Sequence, residues 1–147
     1  MYVGGGDGKL RKINLLKGQW TLSHEAQLDS KVMSVNLSND GKELIVGTIS
    51  GKMFRVLTND LSFLLRADAH SACINDISFG SDSNSFVAID ELGNLKQWDL
   101  SEYKSPVTLM PAKISGGVCC YVAKDDQTVL TGWRDGFLRC FDMKQKC

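Results

Sequence analysis

The chain has 147 residues, a length typical of one ordinary domain, and 43% of them are apolar. Lysine and arginine together number 17, as do aspartate and glutamate, so net charge favours neither nucleic acid nor an anionic membrane as a partner. Every apolar stretch is far shorter than the roughly 18 residues of a membrane helix, and the N-terminus lacks the features of a secretion signal, so we expect a cytoplasmic protein.

Short alternating runs of apolar residues, separated by polar turns, predict an all-β chain built from similar units. The first unit has a glycine turn and a following strand but no leading strand. The second and third units each predict four strands, and the last predicts three. These later strands are, in chain order, VMSVNL, ELIVGT, the run after Gly51 and SFLLRA; INDISF, SFVAID, the run after Gly93 and PVTLMP; and VCCYVA, TVLTGW and the run after Gly136.

A glycine marks the same turn in every unit, because Gly8, Gly51, Gly93 and Gly136 lie 43, 42 and 43 residues apart. We expect tight turns with positive φ at these positions, whereas Gly18 is expected in a loose connection. The positions two and five residues after each glycine are all apolar. They are Leu10, Met53, Leu95 and Leu138, and then Ile13, Val56, Trp98 and Phe141.

This period resembles the WD40-repeat family of β-propellers, whose blades are four-stranded antiparallel sheets of about 40 to 45 residues with a terminal Trp-Asp pair. The pair occurs once, as Trp98-Asp99. The equivalent pairs elsewhere keep an apolar first residue but lose the tryptophan; they are Ile13-Asn14, Val56-Leu57 and Phe141-Asp142. The resemblance implies an all-β fold, a partial propeller of about three and a half blades.

We divide the chain into a partial blade over 1–27, blades over 28–69 and 70–112, and a partial blade over 113–147. Closed propellers have about four to eight blades. The remaining blades are therefore expected from a longer chain or from another subunit.

Several polar residues fall at positions that are structural in the resembled family. His70 occupies the histidine of its Gly-His pair, with Ala69 in place of the glycine. In the family that histidine bonds toward a turn aspartate and the strand tryptophan, and Leu92 at the turn position implies an incomplete network here. Asp7 and Asp135 occupy the turn position of the first and last units, where aspartate can bond nearby backbone amides.

Candidate catalytic or ligand-binding residues are few. The stretch GGGDGK suggests a phosphate loop, but such a loop requires Ser or Thr after the lysine, and Leu10 follows Lys9. The five cysteines have no zinc-like spacing, and the adjacent Cys119 and Cys120 would point to opposite faces of a strand. We therefore predict no enzymatic activity, no catalytic residues, no cofactor and no metal.

Trp133 and Arg134, at the last glycine turn, are the best candidates for contact with a partner protein. They are expected to be the most exposed aromatic and cation pair of the chain. Trp and Arg are enriched at interface hot spots.

The segments from Ala26 to Phe79 and TVLTGWRDGFLRCF resemble, more narrowly, WD-repeat proteins associated with cilia and flagella. That resemblance implies a non-enzymatic brace in the lumen of the axonemal doublet microtubule near the inner junction, contacting tubulin and other inner proteins. Two other classes remain open. An intracellular WD40 adaptor, such as a ligase substrate receptor, would gather arginines on its top-face loops, and a propeller hydrolase would need polar groups converging on its channel.

Overall fold

The chain folds as an all-β protein, as a computed structural model shows for residues 1–100, 106–110 and 116–143. Over these residues there are fourteen strands and no helix. The strands are β1 (Tyr2–Gly4), β2 (Lys9–Leu16), β3 (Gln19–Gln27), β4 (Val32–Leu37), β5 (Glu43–Thr48), β6 (Lys52–Leu57), β7 (Phe63–Asp68), β8 (Ile74–Phe79), β9 (Ser85–Asp90), β10 (Leu95–Asp99), β11 (Val107–Met110), β12 (Gly117–Val122), β13 (Thr128–Trp133) and β14 (Leu138–Asp142).

These strands form four antiparallel sheets in which each strand pairs with its neighbour in sequence. The first sheet has the order β1-β2-β3, the second β4-β5-β6-β7, the third β8-β9-β10-β11 and the fourth β12-β13-β14. The fold class predicted from the sequence, a partial propeller of about three and a half four-stranded blades, is confirmed. The blade boundaries stay a prediction, because residues 112 and 113 lie outside the described residues. Pro111, at the end of PVTLMP, and Cys147 also lie outside them.

The four repeat glycines all sit in turns that an L side chain adopts only with strain. Their φ angles are +79° at Gly8, +82° at Gly51, +90° at Gly93 and +83° at Gly136. The expectation for Gly18 was wrong. Gly18 has a φ of +78° and, with Lys17 at +50°, forms the two-residue turn between β2 and β3, because two successive positive φ angles match the twist of a hairpin.

Successive sheets stack face to face, and each junction has an apolar core. Leu10 of the first sheet shares a cluster with Val46 and Phe54 of the second. Met53 of the second shares one with Trp98 of the third. A third cluster joins Val87, Ile89 and Leu95 of the third sheet to Cys120, Val122 and Val129 of the fourth.

A glycine allows the closest approach at every junction. A Cβ on Gly4 would overlap the side chain of Val32, and one on Gly47 would lie 2.7 Å from Ile74 Cγ2. At the last junction, a Cβ on Gly117 would lie 2.6 Å from Ile89 Cδ1. At each junction, therefore, main chain of one sheet packs against a branched side chain of its neighbour.

Candidate protein-interaction surface

Each repeat glycine closes the same short turn. Gly51 N–H donates to Thr48 O at 3.1 Å, and Gly136 N–H donates to Trp133 O at 3.1 Å. At Gly51 the surroundings are tight as well, because a Cβ there would overlap the carbonyl oxygen of His70. At Gly136 no heavy atom of the described neighbours lies within 4 Å of such a Cβ.

The two turn aspartates bond the backbone, and each also pairs with an arginine four residues later. Asp7 Oδ1 accepts Lys9 N–H at 3.1 Å, and Asp135 Oδ1 accepts Phe137 N–H at 3.1 Å. Hydrogen bonds from Arg11 and from Lys9 N–H lower the pKa of Asp7 to about 2.

The aspartate-arginine pairs were missed in the sequence. Arg139 Nη2 lies 2.6 Å from Asp135 Oδ2, and Arg11 pairs with Asp7 in the same way. The signal was present, since both turns share the pattern Asp-Gly-x-Leu-Arg.

His70 has a buried carboxylate partner that the sequence did not indicate. Its Nδ1 lies 2.9 Å from Asp90 Oδ2, and both side chains are 0% exposed. Asp90 lies at the end of β9, two residues before the expected turn position, and accepts hydrogen bonds from Leu92 N–H, Asn94 N–H and the Asn94 side chain. The histidine thus anchors the turn through Asp90, although residue 92 is a leucine.

Burial and hydrogen bonding set the charge states of this pair. Burial lowers the pKa of His70 and outweighs the attraction of Asp90. Burial alone would raise the pKa of Asp90, but hydrogen bonds from Asn94 and His70 lower it. A neutral imidazole that donates through Nδ1–H to an ionised Asp90 satisfies both directions.

The expected hydrogen bond between His70 and Trp98 is not formed. His70 Nε2 and Trp98 Nε1 are buried and have no hydrogen-bond partner among the described residues. Trp98 stacks instead on Phe86, with ring centroids 6.4 Å apart and an interplanar angle of 7°. Asp99, which follows it, is exposed.

The expected exposure of Trp133 is wrong, because its ring is only 5% exposed and belongs to the core between the third and fourth sheets. Its Nε1–H donates to Thr131 Oγ1 at 2.7 Å, and the Arg139 guanidinium lies 5.0 Å from the ring centroid. Arg134 is exposed and pairs with Glu91 at 2.9 Å. A contact role for Trp133 and Arg134 stays a prediction, and Arg134 is the accessible member.

Large apolar side chains instead cover two sheet faces that no described residue packs against. On the fourth sheet they are Tyr121, Leu130 and Leu138, which are 54%, 47% and 85% exposed. On the first sheet they include Trp20 and Leu22, which are 61% and 59% exposed. Surfaces of this kind are where proteins dock.

The described residues contain neither a metal-binding cluster nor a membrane-spanning helix. In the ranges 1–100, 106–110 and 116–143 no three His, Cys, Asp or Glu side chains group closely enough to hold a metal ion. Nor does that part of the chain contain a helix long and apolar enough to cross a membrane.

Comparison with known proteins connects the chain to proteins of cilia and flagella. No protein-family model matches the chain. It is similar to Cilia- and flagella-associated protein 52 of Chlamydomonas reinhardtii, with 24% identity over 141 residues that cover 96% of this chain and 23% of that protein. The human protein of the same name is 24% identical over 78% of this chain and 18% of its own length, and the mouse protein is 23% identical over 80% and 19%. The chain therefore spans less than a quarter of the relatives it matches.

Proposed function

We propose that the chain is a WD40-type structural scaffold of the ciliary or flagellar axoneme, without enzymatic activity. In this role it braces doublet microtubules from the lumen near the inner junction by contacting tubulin and other inner proteins. The observation that carries the proposal is the similarity to a cilia- and flagella-associated protein over 96% of the chain.

The distribution of side chains supports a contact role over a catalytic one. The best-formed pair of titratable groups, His70 and Asp90, is fully buried and engaged in holding a turn. A general acid or base must come within hydrogen-bond reach of its substrate. Exposed large apolar side chains, in contrast, such as Trp20, Leu22 and Leu138, lie on strands of the first and fourth sheets.

The location can be tested in cells of the organism that encodes the chain. The endogenous product is tagged, cilia are demembranated with detergent, and the axonemes are washed with high salt. We expect the tagged protein to stay with the doublets after the wash, as a luminal brace should. Release into the detergent-soluble fraction, together with a cytoplasmic marker protein, would contradict the proposal and favour the adaptor.

The contact with tubulin needs a second measurement. Cross-linking of the washed axonemes followed by mass spectrometry is expected to join lysines of this protein to the luminal side of tubulin. Cross-links confined to non-tubulin proteins, or to the outer tubulin surface, would contradict the bracing role even if the protein is axonemal.

A further inference from the structure

The junction between the second and third sheets buries two ring nitrogens that no described residue bonds. They are His70 Nε2 and Trp98 Nε1. The His70 side chain is 0% exposed, and Trp98 is 6% exposed. A buried polar group without a hydrogen bond destabilises the folded state, and the great majority of such groups in proteins have a partner. Each of these two nitrogens therefore requires one.

The two nitrogens have opposite roles in hydrogen bonding. Because Nδ1–H of the neutral His70 ring donates to the Asp90 carboxylate, its Nε2 is an acceptor. Trp98 Nε1–H can only donate. A cation would suit the histidine alone, and an anion would suit the tryptophan alone. A water molecule both donates and accepts, so a single water can satisfy the two nitrogens together.

Both rings belong to the same face of the third sheet. Lys96 lies two residues before Trp98 on β10, so the two side chains share a face, and Lys96 pairs with Ala88 of β9. The Lys96 ammonium donates to Ala69 O at 2.7 Å, so the backbone next to His70 lies over that face. Ala69, Ala88 and Trp98 also share one core cluster. The small side chain of Ala88 therefore lies on the face that carries both rings.

The fourth sheet shows what a hydroxyl does at the position of Ala88. Thr131 lies 43 residues after Ala88 and is the equivalent residue of the repeat. Its Oγ1 accepts a hydrogen bond from Trp133 Nε1–H at 2.7 Å, and the bond is buried. In the third sheet, alanine provides no such oxygen for the indole of Trp98. An oxygen from outside the chain would restore the bond.

We propose that one ordered water molecule binds next to Ala88, where it accepts a hydrogen bond from Trp98 Nε1–H and donates one to His70 Nε2. Its oxygen takes the role that the Thr131 hydroxyl has in the fourth sheet. Buried waters in proteins typically make two to four hydrogen bonds to polar groups that have no other partner. The two ring nitrogens supply two of them, one of each kind.

The bound water connects separate elements through one chain of hydrogen bonds. The chain runs from Trp98 on β10 through the water and the His70 ring to the Asp90 carboxylate at the end of β9. His70 N–H also donates to Gly51 O at 3.1 Å, in the glycine turn of the second sheet. The water therefore helps to fix the second sheet on the third. This inference goes beyond the ciliary role, and its failure would leave that role untouched.

A crystal structure of the purified chain, at a resolution that shows ordered water, tests the proposal directly. We expect one water oxygen at about 2.7 to 3.2 Å from both His70 Nε2 and Trp98 Nε1. A direct hydrogen bond between the two rings would overturn the proposal. So would a water that contacts only one ring, or two well-ordered rings with no water between them.

Nuclear magnetic resonance provides a second test in solution. The rotating-frame Overhauser spectrum of the parent chain should show a dipolar cross-peak, opposite in sign to the diagonal, between the Trp98 indole proton and water. Ala88→Val places methyl groups where the water binds and should abolish it, whereas Val87→Ile, on the opposite face of β9, is the matched control and should keep it. No such cross-peak in the parent chain, or one that persists in Ala88→Val, would overturn the proposal. The parent spectrum and the crystal structure decide the question even if Ala88→Val does not fold.

Discussion

Glycine at position 51 is required for two separate physical reasons, of which Gly18 shares only one. Both have positive φ, at +82° and +78°. Only at Gly51 would a Cβ also meet backbone, since the carbonyl oxygens of His70 and Ala72 lie next to it, the latter at 2.9 Å. Backbone atoms in a packed turn cannot move aside as a flexible side chain can.

Alanine substitution separates these two contributions. Gly18→Ala should cost about 1 kcal/mol, the usual penalty of a left-handed conformation for an L residue. Gly51→Ala should cost about 3 kcal/mol or more, because clash adds to that strain. The free energies of unfolding in urea measure both, and equal losses would contradict the close approach at Gly51.

The buried histidine makes stability depend on pH. Burial holds the pKa of His70 in the folded chain below the ordinary histidine value of 6.5, so the contribution of His70 to stability is complete above pH 6.5 and is lost as the pH falls below that value. We expect the free energy of unfolding to decrease between about pH 7 and pH 5. The free energy of unfolding of His70→Gln should decrease less steeply between the same pH values.

Comparison of these two proteins isolates the histidine, because carboxylates such as Asp76 contribute to both curves. His24→Gln is the control, since His24 is exposed and its ring bonds only the neighbouring Ser23 in the described contacts. Parallel curves for the parent chain and His70→Gln would show that His70 titrates alike in the folded and unfolded states.

At the scale of the element, the side chains on one face of strand β9 contact both Trp98 and His70. Phe86, Ala88 and Asp90 alternate along β9 and share a face. Phe86 stacks on Trp98 and Asp90 holds His70, so Ala88 lies on this face between the residues that contact Trp98 and His70. The buried nitrogens Trp98 Nε1 and His70 Nε2 have no hydrogen-bond partner in the part of the chain that the structure describes.

We expect a hydroxyl at position 88 to reach this polar pair, accepting from Trp98 Nε1–H and donating to His70 Nε2. Ala88→Ser should therefore raise stability by about 1 kcal/mol, the usual net value of a buried hydrogen bond. Ala88→Val adds volume without a polar group and should lower it by about 1 kcal/mol or more. Denaturation midpoints measure both, and a loss in the serine variant would contradict this geometry.

Strands were predictable from the sequence where alternation and turn residues agreed. The runs ELIVGT, SFVAID and TVLTGW coincide with β5, β9 and β13. The tight turn between β2 and β3 was missed because Lys17-Gly18 carries a weaker turn signal than Asp40-Gly41.

The candidate site was less predictable than the strands, for a geometric reason. The partner of His70 is Asp90, twenty residues away, and Trp133 is buried although it adjoins a polar turn. Both outcomes depend on which face of a strand meets a neighbouring sheet. Local sequence determines which side chains of a strand share a face, but it does not determine which neighbouring sheet packs against that face.

At the scale of the whole molecule, the chain is a stack of sheets with one interface repeated three times. Its two outer faces are built like the inner ones and carry exposed apolar side chains. That arrangement suits a protein that binds other proteins through broad surfaces, and it supports the proposed scaffold role.

The stacking itself is the central claim, and nuclear Overhauser effects across the three junctions test it most directly. We expect cross-peaks from the α-protons of Gly4, Gly47 and Gly117 to the methyl groups of Val32, Ile74 and Ile89, respectively, because a Cβ on each glycine would meet that side chain. Glycine cross-peaks confined to residues of the same sheet would show that the sheets do not pack in this way.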